Sequence, residues 1–179
     1  MHVDTFDWNN WRPVDHAVLC FIRENDHVLL IEKKRGLGGG KVNGPGGKLE
    51  DGETPLEAAR RETEEEVGLT PLEPERVCEL SFVFADGYSL RCDVFLSGGY
   101  RGSLVETPEA KPFWAPVDSL PFARMWEDDV LWLPRVLAGE RLSGRFIFDG
   151  DAMLSYVLYE GLREDYRTGL PAITPRSPA

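Results

Sequence analysis

The stretch Gly47-Lys48-Leu49-Glu50-Asp51-Gly52-Glu53-Thr54-Pro55-Leu56-Glu57-Ala58-Ala59-Arg60-Arg61-Glu62-Thr63-Glu64-Glu65-Glu66-Val67-Gly68-Leu69 has a helix with its start and stop written into it. Thr54 and Glu57 form a T-x-x-E capping box, and Pro55 takes the first helical position, where a missing amide costs nothing. Gly68, just past Val67, supplies the left-handed stop. A helix over Pro55 to Val67 follows. Leu56, Ala59, Thr63 and Val67 fall on one stripe of that helix, which is the expected core face. Glu62, Glu65 and Glu66 share an adjoining arc, because positions three and four apart are neighbours on a helix.

Three carboxylates on one arc repel one another, and a solvated acidic face is the ordinary reading of such a run. Hard oxygen donors on a rigid helix also suit Mg²⁺ or Mn²⁺. The sequence just before the helix favours the second. Gly36-Leu37-Gly38-Gly39-Gly40 and Gly44-Pro45-Gly46-Gly47 leave backbone amides free to approach phosphate oxygens. Glycine-rich chain followed by a glutamate helix points to a metal-bound phosphoanhydride and its cleavage.

Outward from this core, Val14 to Arg23 and His27 to Lys33 read as strands joined by a turn at Glu24-Asn25-Asp26. The glycines from 36 to 47 read as a long irregular loop. Arg76 to Phe84 and Tyr88 to Leu96 flank Ala85-Asp86-Gly87, a hairpin signal. Lys111 to Ala115 is a short strand. Asp128 to Ala138 is a helix, with Asp128 as its cap, Gly139 beyond it and Pro134 limiting its length. Arg145 to Phe148 and Met153 to Tyr159 form a last strand pair around Asp149-Gly150-Asp151. This order of elements describes one α/β domain with a mixed sheet at 14–163. It follows an N-terminal extension at 1–13, in which Trp8 and Trp11 have no legible partner. A tail at 164–179, ending Thr174-Pro175-Arg176-Ser177-Pro178-Ala179, is expected to be frayed.

With 42% of its 179 residues hydrophobic, the chain can fill one substantial core. Its net charge of -11 opposes binding to a nucleic-acid polymer, while a divalent cation would still let it hold a small anion. Cys20, Cys78 and Cys92 make no C-x-x-C pair and read as buried free thiols. No apolar run reaches the roughly 18 residues of a membrane span, and no signal peptide opens the chain. The expected setting is the cytoplasm, for a monomer acting on a small anionic molecule and not on a polymer.

The spacing Gly47, Glu53, Arg61-Glu62, Glu65-Glu66, Gly68-Leu69 resembles the Nudix (MutT-like) signature G-x5-E-x7-R-E-U-x-E-E-x-G-U. Thr63 departs from it, standing where a bulky aliphatic is usual, which bears on local packing. The resemblance implies a Nudix fold, an α/β/α sandwich around a mixed sheet, and hydrolysis of a nucleoside diphosphate linked to another group. It also implies that Glu62, Glu65 and Glu66 hold Mg²⁺ (or Mn²⁺) with the Gly46 carbonyl, that Arg61 braces the glutamates, and that Glu53 supports the loop. Glu109 reads either as a further metal carboxylate or as an ordinary loop acid.

Beyond the signature, Lys33-Lys34-Arg35-Gly36, Lys41 to Lys48 and Met125-Trp126-Glu127-Asp128-Asp129 are similar to the branch of that family acting on oxidised purine nucleoside triphosphates such as 8-oxo-dGTP. The similarity implies that Asn43, Trp126, Asp128 and Asp129 bind the base. Lys33 is implied to lie near the phosphates or the pocket mouth, and Gly46, Gly47 and Lys48 to bind the substrate. Trp126 offers a flat face for a purine, and adjacent carboxylates in a dry pocket resist joint ionisation, leaving one donor beside one acceptor. Read without the family, Asp128 only caps its helix and Trp126 is core. Phe82 and Phe84 share a strand face and read as pocket wall or plain core. Leu37 and Glu127 depart from the branch, where an aromatic and a proline are expected; they bear on purine selectivity more than on hydrolysis. Alternatives are a Nudix hydrolase of undamaged nucleotides, dinucleoside polyphosphates or ADP-ribose, and a non-catalytic nucleotide-binding module. Retention of all three glutamates favours hydrolysis.

Overall fold

The computed structural model describes residues 1–163, and the tail at 164–179 lies outside the described residues. In chain order the elements are β1 (Asp15–Glu24), β2 (His27–Lys33), β3 (Val42–Asn43), β4 (Gly46–Lys48), α1 (Pro55–Val67), β5 (Leu69–Pro71), β6 (Glu75–Phe84), β7 (Ser89–Ser97), β8 (Tyr100–Gly102), β9 (Ala110–Pro116), a 3-10 turn at Phe122–Arg124, α2 (Asp129–Leu137), β10 (Leu142–Asp149) and β11 (Ala152–Glu160). The main sheet runs β11-β10-β6-β7-β1-β2-β3, with β4 also paired to β1 and β9 to β2. β1 lies parallel to β7 and β6 parallel to β10, while the remaining pairs are antiparallel, so the sheet is mixed. β5 and β8 form a separate small ribbon.

Alternation along β1 builds the layers. Val18 and Cys20 pack with Ala58 and Ala59 of α1, whereas Leu19 and Phe21 join the core beneath α2 with Trp132 and Leu133. One helix therefore covers each face, as the sandwich expectation requires. On the α1 face, α1 does not extend over β6, β10 and β11. There Val3 and Trp8 pack against Val83 and Ile147, and Phe6 and Trp11 close over the cluster. The N-terminal segment is thus part of the packed domain, and Trp8 has found its partner.

The capping box on α1 forms as expected: the Glu57 amide donates to the Thr54 hydroxyl at 3.2 Å, and the Thr54 amide donates to the Glu57 carboxylate at 2.8 Å. Gly68 sits at φ 78, the left-handed stop. The core stripe needs correction. Leu56 is exposed, and the buried arc runs through Ala58, Ala59, Thr63, Glu66 and Val67. Apolar periodicity misplaced it because the arc contains a carboxylate. Thr63 settles its own departure, donating its hydroxyl to the Ala59 carbonyl at 2.7 Å.

The long irregular loop is also corrected. Gly46 and Gly47 belong to β4, paired with Leu19 and Val18 of β1, and a Cβ at Gly46 would lie 2.0 Å from the Val18 carbonyl oxygen. Glycine here permits a strand to approach too closely for any side chain, which composition alone misread as irregularity. Among the described residues no helix is long and apolar enough to cross a membrane. The three cysteines are buried and free.

Candidate active site

A cavity of about 690 Å³ opens on the α2 face of the sheet, between the glycine strand and α2. Lys33, Asn43, Gly46, Gly47, Lys48, Glu66, Trp126, Asp128 and Asp129 all contribute to its wall. Residues far apart in the sequence therefore meet at one site. Phe82 and Phe84 line it too while packing in the hydrophobic core, so each is both pocket wall and core.

At one end stands the glutamate helix. Arg61 donates to Glu53 through Nε at 2.6 Å and Nη2 at 2.8 Å, and through Nη1 to Glu62 at 2.9 Å and Glu65 at 3.2 Å. Its Nη2 also reaches the Lys48 carbonyl at 3.1 Å, tying helix to glycine strand. The Arg61 guanidinium holds the Glu53 carboxyl down at about 2, and Glu53 accepts the Glu50 amide at 3.0 Å, which pins the loop. Arg61 thus links Glu53, Glu62 and Glu65 to one another, and Glu53 holds the start of the loop before α1. Gly47 lies directly against the Glu62 carboxylate, so a Cβ there would push that side chain aside.

The three glutamates differ sharply in environment. Glu65 is exposed. Glu62 is half-buried, and burial raises its carboxyl against the pull of Arg61. Glu66 is only 5% exposed, and its Oε2 has no hydrogen-bond partner. Burial first, then the Glu62 charge, pushes the Glu66 carboxyl up to about 8, with Lys33 and a backbone hydrogen bond from Gly46 opposing. An orphaned, buried carboxylate oxygen beside a second raised carboxylate is the environment a hard cation relieves. Among the described residues no three acidic, imidazole or thiol groups converge as a preformed metal cage, and Arg61 occupies Glu62 and Glu65. The donor set nevertheless fits a divalent ion. Glu109 pairs with Arg35 at 2.7 Å, yet its charge raises both Glu62 and Glu66, so it stands at the edge of this group.

At the other end two adjacent acids are sealed in the wall, Asp128 and Asp129 each 2% exposed. Asp128 accepts the Trp132 indole N–H at 2.8 Å, and Asp129 accepts the Trp126 backbone amide at 3.1 Å. The expected role of Asp128 as a side-chain cap is corrected: its carboxylate makes no bond to the helix amides, and one of its oxygens accepts from Trp132 instead. Burial pushes the Asp128 carboxyl up to about 6, and burial with the Asp128 charge drives Asp129 well above its ordinary range. The pair therefore carries one proton near neutrality. Asn43 Oδ1 accepts the Gly44 amide at 2.8 Å, which leaves its amide nitrogen as a donor. Trp126 forms a wall between, meeting Phe84 and Phe148 edge-on. Glu127, the departure beside it, points away and accepts the Met153 amide at 3.0 Å.

Sequence reasoning missed Tyr88, Phe148 and Asp15. Tyr88 lines the cavity and donates to Asp15 at 2.8 Å, and Asp15 pairs with Lys48 at 2.8 Å. Their positions follow from strand register, and no local pattern marks them.

A family model described as NUDIX domain matches residues 13–136. The chain is 40% identical over 144 residues to an oxidized purine nucleoside triphosphate hydrolase of Danio rerio, covering 79% of this chain and 92% of that protein. It is 39% identical to the protein of the same description in Mus musculus, with the same coverage. Among solved structures, the mutator MutT protein of Bacillus halodurans superposes with a TM-score of 0.72 at 30% identity, over 81% of this chain and 97% of that one.

Proposed function

The chain belongs to the NUDIX domain family, and from that premise we propose that it is a nucleoside triphosphate pyrophosphohydrolase that sanitises oxidised purine nucleotides, converting 8-oxo-dGTP to 8-oxo-dGMP and pyrophosphate. The observation that carries the reading is one cavity with an orphaned metal-type carboxylate, Glu66, at one end and a buried acid pair, Asp128–Asp129, at the other. The relatives described as oxidized purine nucleoside triphosphate hydrolases support it.

Glu62, Glu65 and Glu66, with the Gly46 carbonyl, would hold the ion, Mg²⁺ or Mn²⁺, with Glu109, whose charge bears on Glu62 and Glu66, as a further ligand. When bound, that ion supplies charge neutralisation on the phosphates and a lowered pKa for the attacking water. Arg61, anchored on Glu53, keeps the glutamates in register. Lys33, Lys48 and the Gly47 backbone meet the phosphate oxygens. A new P–O bond forms to the water oxygen as the α–β anhydride P–O bond breaks, and pyrophosphate leaves with a proton released to solvent.

At the far end Trp126 stacks on the purine, worth about 1–3 kcal/mol by analogy with single-strand binders. Protonated Asp129 and ionised Asp128 present a donor and an acceptor to the base edge, and Asn43 donates a third bond. An oxidised purine has an edge changed in that sense. The test is a panel of nucleotides with Mg²⁺, following phosphate released after added pyrophosphatase. Turnover of 8-oxo-dGTP well above dGTP is expected. No turnover on any nucleotide would refute hydrolysis, and equal rates on the two would refute sanitation.

A further inference from the structure

The loop between β2 and β3 is shaped around Trp126. Reciprocal backbone bonds close its base, Lys33 amide to Lys41 carbonyl at 2.9 Å and Gly40 amide to Lys33 carbonyl at 2.7 Å. Its middle passes so near the indole that a Cβ on Gly38, itself at φ +76, would lie 2.9 Å from Trp126 Nε1. At its end Lys41 sets its ammonium over the Trp126 ring, 5.0 Å from the centroid. The same ammonium pairs at 3.2 Å with Asp151, on the turn between β10 and β11. Trp126 lines the cavity and Lys41 does not. The ring that faces the site thus carries a cation outside it.

We propose that Lys41 is a positioning residue for nucleobase recognition, holding the plane of Trp126 from behind and itself held by Asp151. The proposal rests on the reading that this cavity takes a purine, and it names what sets the stack. Phe84 and Phe148 meet the indole edge-on, at 72° and 88°, so they fix its place in the wall. The ammonium bears on the ring face instead, where the attraction to the π cloud is greatest. Stacking requires two planes to stay parallel, so an indole free to tilt loses purine affinity while the phosphate end is untouched. Lys41 is largely covered, whereas Asp151 is mostly exposed, so the pair is open to screening by salt.

The test compares Lys41→Met, Lys41→Arg and Asp151→Asn with the wild-type protein. KM and kcat are measured on 8-oxo-dGTP, and the Kd for 8-oxo-dGMP is measured by calorimetry. Lys41→Met is expected to raise KM and Kd together by about three- to tenfold, with kcat nearly unchanged. Lys41→Arg restores both, because a guanidinium also sits on an indole face. Asp151→Asn raises KM about twofold at low ionic strength, and the difference fades as salt is added. Wild-type KM and Kd in Lys41→Met, or a loss confined to kcat, would overturn the proposal while leaving the functional reading in place. Absence of nucleotide binding by the wild-type protein would overturn both.

Discussion

Arg61 grips Glu53 with two hydrogen bonds, at 2.6 and 2.8 Å, and these two residues tie α1 to the loop that precedes it. The same guanidinium reaches Glu62, Glu65 and the Lys48 carbonyl, so one planar cation sets the spacing of helix, glycine strand and glutamates. A lysine has one point charge and no fork with which to do this.

Arg61→Lys should therefore lower kcat on the order of 100-fold, the cost of displacing reacting groups by about 1 Å. Steady-state kinetics with saturating Mg²⁺ checks it. An activity close to wild type would mean that the glutamates hold their positions unaided.

Glu66 offers a test in the metal-free protein. Its carboxyl is raised from 4.5 to about 8, so burial favours its neutral form. That favourable protonation is fully present below 4.5 and lost as pH rises through about 8, leaving a buried charge in the folded state. Glu66→Gln should thus raise the melting temperature in chelator near pH 8, while abolishing turnover and the added stability that Mg²⁺ confers on the wild type. Thermal melts with and without Mg²⁺ read all three, and an Mg²⁺-induced shift surviving in the variant would contradict the ligand role.

The acid pair predicts a pH profile for recognition. Burial raises both carboxyls, and the neighbouring Asp128 charge raises Asp129 further. Purine affinity should fall in acid, where Asp128 gains a proton and loses its anionic acceptor. It should fall again at alkaline pH, where Asp129 loses its proton and the donor disappears. Asp129→Asn keeps a donor at all pH values, so its affinity should lose the alkaline limb while preference among bases changes. Calorimetric titration of the monophosphate product across pH measures this, and identical profiles for the two proteins would contradict the assignment.

Trp8 is 5% exposed, its indole N–H donates to the Val3 carbonyl at 2.8 Å, and Arg145 lies over its ring at 5.0 Å. Trp8→Ala should cost about 3–5 kcal/mol of stability, a drop on the order of 10 °C in Tm. Turnover at low temperature should stay near wild type, because Trp8 packs behind the strands and not in the cavity. Calorimetric melting checks the first, and an unchanged Tm would show that the segment contributes nothing to folding.

The ends of α1, the two hairpins and the spacing of the glutamates were legible in the chain because their causes are local. A capping box spans three residues, an Asp-Gly turn two, and a helix repeats every 3.6, so each can be read without knowing what lies beyond. By itself the sequence determined the helix from Pro55 to Val67, the order of the main strands, and the one arc shared by Glu62, Glu65 and Glu66. Only the tertiary structure decided that Glu66 is buried with an orphaned oxygen while Glu65 faces solvent. It also decided that β4 pairs with β1, that Trp8 closes the back of the sheet, and that Asn43 shares a cavity with Trp126, Asp128 and Asp129. Burial and desolvation are properties of surroundings assembled from distant segments. No run of neighbouring residues records which of three like charges will be taken out of water.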